Sequence, residues 1–180
     1  MKNLLPFFVL VFSVSVFGQR SISDLDLRHR NALDNYLKTR AGVSLRLETI
    51  LDRKYLDYMS ETLGTGFRPN YAVGDFNRDK KTDFAVLLSR PGKPKNLNPE
   101  DGSQSSEHFP DFPMALIVFN GGPGLTFKPA FTMDFFGPRA SFIHFDKSGR
   151  RLYFGIFETD SDTFSLMPRG SGYRVKSEAL

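Results

Sequence analysis

The chain has 180 residues, a formal charge of +4 and no cysteine. That length is one domain's worth and can bury a real core; the missing thiols exclude disulfides, thiolate zinc sites, a cysteine nucleophile and a lipid-bearing N-terminal cysteine. The positive surplus is small and scattered over Arg28, Arg30, Lys38, Arg40, Arg53 and Lys54, a solvated surface rather than a nucleic-acid groove, and at most it predicts a mild preference for anionic surfaces.

Met1-Lys2-Asn3 is a short charged start, followed by an apolar run from Leu4 to Phe17. With Gly18 as the cleavage position and Val16 two residues before it, residues 1–18 read as a secretory signal peptide. The run is about 14 residues, too short to cross ~30 Å of hydrocarbon as a helix. No second apolar run of that length follows, so the expectation is an exported, soluble protein with no membrane span, periplasmic or extracellular.

Residues 19–66 read as a helical N-terminal segment. From Ser21 to Arg40, Leu25, Ala32, Leu33, Tyr36 and Leu37 recur at helical spacing. Ser23, Asp24 and Asp26 supply N-terminal capping chemistry, and Arg40-Ala41-Gly42 supplies a stop. A second amphipathic segment runs from Thr49 to Leu63, with Leu51, Tyr55, Tyr58 and Met59 on one face and Gly64 at its end. His29, between Arg28 and Arg30, is expected to be solvated or packed at a helix edge.

Residues 67–180 read as the β-rich region of the same single domain. Strands are predicted near 70–75, 83–89, 114–119, 126–135, 141–146, 151–158, 163–167 and 172–176, with turn clusters such as Asn120 to Gly124 and Lys147 to Arg150 between them. Phe84 to Leu88 is apolar at consecutive positions, so both its faces should be buried. Short connections favour an antiparallel meander. The exception, residues 90–113, is rich in Pro, Gly, Ser, Asn and Lys and reads as a mobile surface loop. The fold class expected is α+β, with two N-terminal helices packed on a largely antiparallel sheet, and a single sheet accounts for the length.

The most distinctive stretch is Tyr71 to Leu88, YAVGDFNRDKKTDFAVLL. Oxygen side chains stand at alternate positions, Asp75, Asn77, Asp79 and Asp83, between two apolar runs. Hard cations take several oxygen ligands at ~2.3–2.6 Å for calcium, and alternate loop positions can turn toward one point. The metal-free alternative is a hairpin stapled by Asx turns, in which Asp75 and Asn77 bond backbone amides.

GDFNRDKKTDFAVLL resembles the calcium loop of FG-GAP or VCBS repeats, which joins strands of a propeller blade. Leu116 to Phe131, LIVFNGGPGLTFKPAF, is similar to the second half of that repeat. The resemblance covers about 60 residues, with residues 90–113 as an insertion. It implies calcium held by Asp75, Asn77, Asp79, the Lys81 carbonyl and Asp83, in an extracellular module used for stability or interaction. The sixth position, usually glycine, is Lys80, where a positive φ would cost ~1 kcal/mol. Arg78, Lys80 and Lys81 also offset three Asp charges. The expected site is therefore weak, near the ~10⁻⁴–10⁻³ M of extracellular modules. It is not an EF-hand, because Val86 stands where a bidentate Glu is needed. Propellers need several blades, and only one such motif is present; Asp146 to Arg150 is a degenerate echo.

Other chemistry-bearing residues are dispersed. His144 and Asp146, with Glu158, Asp160 and Asp162, would make a secreted hydrolase the alternative function. Register opposes it: if Lys147 to Arg150 is the turn, Asp146 faces Arg151, His144 faces Tyr153, and Glu158 falls opposite Arg139. Ile143, Phe145, Leu152, Phe154 and Ile156 then take the core face. Glu107, His108 and Asp111 lie in the long loop. Phe142, Tyr153 and Phe157 would share the opposite sheet face, either buried from both sides or exposed as an aromatic contact surface for a protein partner. Taken together, these residues read as an exported, non-catalytic binding or accessory module with one loop able to take calcium.

Overall fold

The computed structural model describes residues 25–40, 53–64, 67–89, 112–137, 141–148, 151–156 and 164–177. The signal-peptide segment, nearly all of the 90–113 loop with Glu107, His108 and Asp111, and Phe157, Glu158, Asp160 and Asp162 lie outside the described residues, as do Ser23, Asp24, Leu51 and the side chain of Tyr55.

Helix α1 spans Leu27–Lys38 and is capped by Asp26, whose carboxylate accepts from the Arg28 amide at 3.0 Å. An anionic oxygen there satisfies one of the amides left without a partner in the first turn. Helix α2 spans Arg53–Leu63. It stops at Gly64, whose φ of 105° a side chain would oppose. On α2, Met59 is buried as expected, whereas Tyr58 is exposed.

Eight strands follow among the described residues: β1 Tyr71–Gly74, β2 Asp83–Ser89, β3 Phe112–Gly121, β4 Phe127–Gly137, β5 Ser141–Asp146, β6 Arg151–Ile156, β7 Phe164–Arg169 and β8 Gly172–Ser177. Successive strands pair antiparallel, except that β4 does not pair with β5. The fold is α+β, but the single sheet expected from the sequence is two: β1-β2-β3-β4 and β5-β6-β7-β8. Phe112 and Pro113, assigned above to the loop, open β3.

Burial explains the split. On β2 and β3 the side chains alternate between two cores. Phe84, Val86, Leu88, Ala115, Ile117 and Phe119 face one side, where Leu25 and Leu33 of the α1 region join them. Ala85, Leu87, Met114, Leu116 and Val118 face the other, where Ile143, Leu152, Phe154 and Leu166 of the second sheet meet them. One helical layer can cover only one face, so the second half of the chain folds back over the other. The result is helix on sheet on sheet. The layers are stacked with β1 near β5 and β4 near β8, and Phe131 of β4 meets the edge of Tyr173 on β8. The expected β5–β6 register holds, with Asp146 opposite Arg151 and His144 opposite Tyr153.

Candidate functional site

The loop from Asp75 to Thr82 joins β1 to β2. Its backbone alternates: Arg78 and Lys80 adopt φ of 65° and 66° without being glycine. That curl directs successive amides inward, a concavity suited to an anionic oxygen. Asp75 fills it, accepting from the Asp79 amide at 3.0 Å and the Lys80 amide at 3.1 Å. Asn77 Oδ1 accepts from the same Asp79 amide at 3.0 Å, so Asp75 and Asn77 place oxygens on one side of the loop. Asp79 accepts from the Lys81 amide at 2.9 Å and from the Lys81 ammonium at 3.3 Å. Desolvation pushes the Asp79 carboxyl up, but the Lys81 amide and ammonium together outweigh it and hold it below the ordinary value.

Asp83 behaves differently. It is fully buried at the first position of β2, and its two oxygens accept three backbone amides: Phe76 at 2.8 Å, Asn77 at 3.2 Å and Gly121 at 2.8 Å. Burial raises its pKa above the ordinary carboxylate value, and the amides of Gly121, Asn77 and Phe76 oppose that rise. Beside it, Tyr173 donates to Asn120 Oδ1 at 2.6 Å. Burial and the charges of Asp83, Asp79 and Asp75 lift the phenol far above its usual range. The loop is thereby tied to the β3–β4 turn, and its negative field reaches β8.

Of the five expected ligands, Asp75 and Asn77 converge, and Asp79 sits one turn on with its carboxylate on Lys81. Asp83 is turned inward onto amides. Among the described residues, no group of three His, Cys, Asp or Glu side chains has the geometry to hold a metal. Asp83, in this arrangement, braces the hairpin.

His144 is half-buried and stacked between Phe142 and Tyr153, with ring centroids 6.1 and 5.2 Å away. Burial lowers its pKa, with Asp146 acting against the shift. Asp146 accepts from the Ser148 amide at 2.9 Å and hydroxyl at 2.7 Å, bracing the β5–β6 turn.

One residue departs from its expected setting, and one feature has no signal in the sequence. His29 is not solvated: it is 7% exposed, stacked on Phe84 at 4.3 Å, edge-on to Phe127 and hydrogen-bonded through Nδ1 to the Tyr71 hydroxyl. Its spacing from Ala32, Leu33 and Tyr36 puts it on the buried helix face, a periodic signal masked by its two arginine neighbours. The second is a cleft of about 610 Å³ between the end of α2, the Phe67–Val73 segment and β5, walled by Phe67, Tyr71 and Phe145 with Arg68 and Lys147 among its lining. It joins stretches some seventy residues apart, and only folding brings them together.

Among the described residues, no helix is long and apolar enough to cross a membrane. Comparison with protein-family models, with curated proteins and with solved structures finds no match for this chain.

Proposed function

We propose that this chain is an exported, non-catalytic binding or accessory module. The observation that carries the reading is the cleft between the end of α2, the Phe67–Val73 segment and β5, a concave site of ligand size with a mixed apolar and polar lining. Export rests on the charged start and the Leu4–Phe17 apolar run, and fractionation of expressing cells tests it. In this reading the N-terminal helices serve as cover for the β layers, and an aromatic sheet face with Phe142 and Tyr153 is available to a protein partner.

The β1–β2 hairpin, read as an FG-GAP/VCBS-like loop, serves as a brace that gains stability when calcium occupies it. The shared position of the Asp75 and Asn77 oxygens supports this. Each carboxylate oxygen carries a second lone pair, so an oxygen accepting an amide can still face a cation. Binding to the folded state alone would raise the melting temperature by mass action. A melting temperature unchanged by several-fold excesses of calcium over its ~10⁻⁴–10⁻³ M range would remove the metal from the reading.

The alternative, a hydrolase using carboxylates near His144, is tested with chromogenic ester, phosphate and glycoside substrates. Turnover that disappears in His144→Ala would replace the binding-module reading.

A further inference from the structure

We propose that the cleft binds a small organic anion: an apolar body ending in a carboxylate or phosphate head. The inference rests on the binding-module reading and supplies its ligand class.

The volume, about 610 Å³, falls within the ~300–1,000 Å³ of small-molecule sites. Its apolar lining comes from Leu63 of α2, Phe67, Tyr71 and Val73 on one side and Ile143 and Phe145 of β5 on the other, and polar groups, Arg68, His144 and Lys147 among them, supply nearly as much of the surface. Val73 stands 38% exposed there although it is a strand residue, so an apolar ligand would remove its surface from water. The Phe67–Val73 segment is tied to β5 by a hydrogen bond from the Ile143 amide to the Pro69 carbonyl at 2.8 Å. Two sides fastened in this way lower the ordering cost of binding.

Charge selects the head group. Among the described residues lining the cleft, the formally charged ones, Arg68 and Lys147, are both positive and none is a carboxylate. His144, also in the lining, is held toward its neutral form by burial and adds no opposing charge. The Arg68 guanidinium lies 5.7 Å from the Tyr71 ring centroid, an arrangement that positions the group while leaving its edge donors directed outward. A planar fork and a point cation, both exposed and both lining the cleft, suit an oxyanion whose tail packs on the apolar side chains beside them. An uncharged amphiphile would bury the same tail but gain nothing at the rim.

The test uses the full chain and three ten-carbon probes: decanoate, decyl phosphate and decan-1-ol, each below its aggregation limit, by titration calorimetry. The expected result is that at least one anionic probe binds about tenfold or more tightly than the alcohol. In the Arg68→Gln/Lys147→Gln double variant that preference should vanish, with the melting temperature retained because both side chains are exposed. A second variant, Val73→Glu, places a carboxylate in the cleft and should weaken the anions more than the alcohol. Equal affinity for anions and alcohol, no binding of either anion to folded protein, or a preference that survives in the double variant overturns the proposal. Ester turnover lost in His144→Ala would instead overturn the non-catalytic reading, whatever the probes do.

Discussion

The Gly121 amide donates a 2.8 Å hydrogen bond to Asp83 Oδ1, and this bond fastens the β3–β4 turn to the β1–β2 loop. Gly121 can reach it because it has no side chain: a Cβ there would stand 2.2 Å from the Thr82 carbonyl oxygen. Asp83→Ala should therefore destabilise the protein by on the order of 3 kcal/mol, since buried amides of Phe76, Asn77 and Gly121 lose their acceptor together. Gly121→Ala should cost about 2 kcal/mol, because the clash is with backbone that cannot swing aside. The two losses should not add, as each breaks the same bond. Urea unfolding of the single and double variants measures this; additive losses would contradict the coupling.

The loop also contains removable strain. Arg78 and Lys80 hold left-handed conformations, which a β-carbon disfavours by about 1 kcal/mol. Lys80→Gly should raise stability by roughly 0.5–1 kcal/mol, the gain being limited by the greater freedom glycine gives the unfolded chain. It also removes one of the cations facing the three loop carboxylates. If calcium stabilises the hairpin, its thermal shift should then be larger in Lys80→Gly than in the parent chain. A destabilised Lys80→Gly would mean that the backbone conformation is held at no cost.

Stability should fall on both sides of neutrality for reasons visible in one contact. His29 has its pKa lowered chiefly by burial, opposed by Asp26 and aided by Arg28. The folded state therefore favours the neutral ring. Stability is full above the unfolded value of ~6.5 and is lost as pH falls from there toward the folded value. Tyr71 is shifted the other way, to about 12, mainly by burial. Its contribution is present below the unfolded value of ~10 and is lost as pH rises toward the folded one. His29→Phe keeps a ring on Phe84 and should flatten the loss just below pH ~6.5, leaving there the share due to His144, whose pKa is also lowered. Asp79, held below the ordinary carboxylate value, acts at lower pH. Tyr71→Phe should cost about 1 kcal/mol at pH 7 through the lost hydrogen bond and reduce the alkaline loss. Melting temperature against pH decides it: an acid limb of unchanged slope in His29→Phe would exclude the histidine as its source.

Local pattern made the elements legible and left their stacking hidden. Period-two alternation and turn residues located all eight strands, and the Lys147-Ser148 turn set the β5–β6 register residue by residue. Alternation reports that Ala85 and Leu87 face opposite to Phe84 and Val86, but not what covers each face. Met114 to Phe119, as continuously apolar as Phe84 to Leu88, carried the needed hint: two adjacent strands buried on both sides require a layer above and a layer below. Asp83 was read as a cation ligand because its spacing suited one. Its position at the head of a fully buried strand, where an unpaired charge is costly, pointed instead to backbone amides. The cleft depends on the pairing of distant segments, which no local pattern encodes.

Gly74 of β1 lies against the Phe145 ring of β5, across the two β layers. A Cβ on Gly74 would lie 2.2 Å from Phe145 Cδ1, and that ring is in turn packed on fully buried Phe76, with centroids 5.0 Å apart. Phe145 can retreat from Phe76 only toward the cleft that it walls, and Gly74→Ala should cost about 1–3 kcal/mol through overpacking. Phe145→Leu alone should also destabilise, by lost contact with Phe76. Combined with Gly74→Ala it should recover part of that loss, because the shorter side chain vacates the space the new methyl needs. The expected signature in a double-mutant cycle by urea unfolding is a favourable coupling of about 0.5–3 kcal/mol. A coupling of zero would mean that the sheets slide apart to accommodate the methyl. The ring and the glycine would then not set the distance between the layers, and the cleft beside them would change volume instead, detectable as altered affinity for the decyl probes.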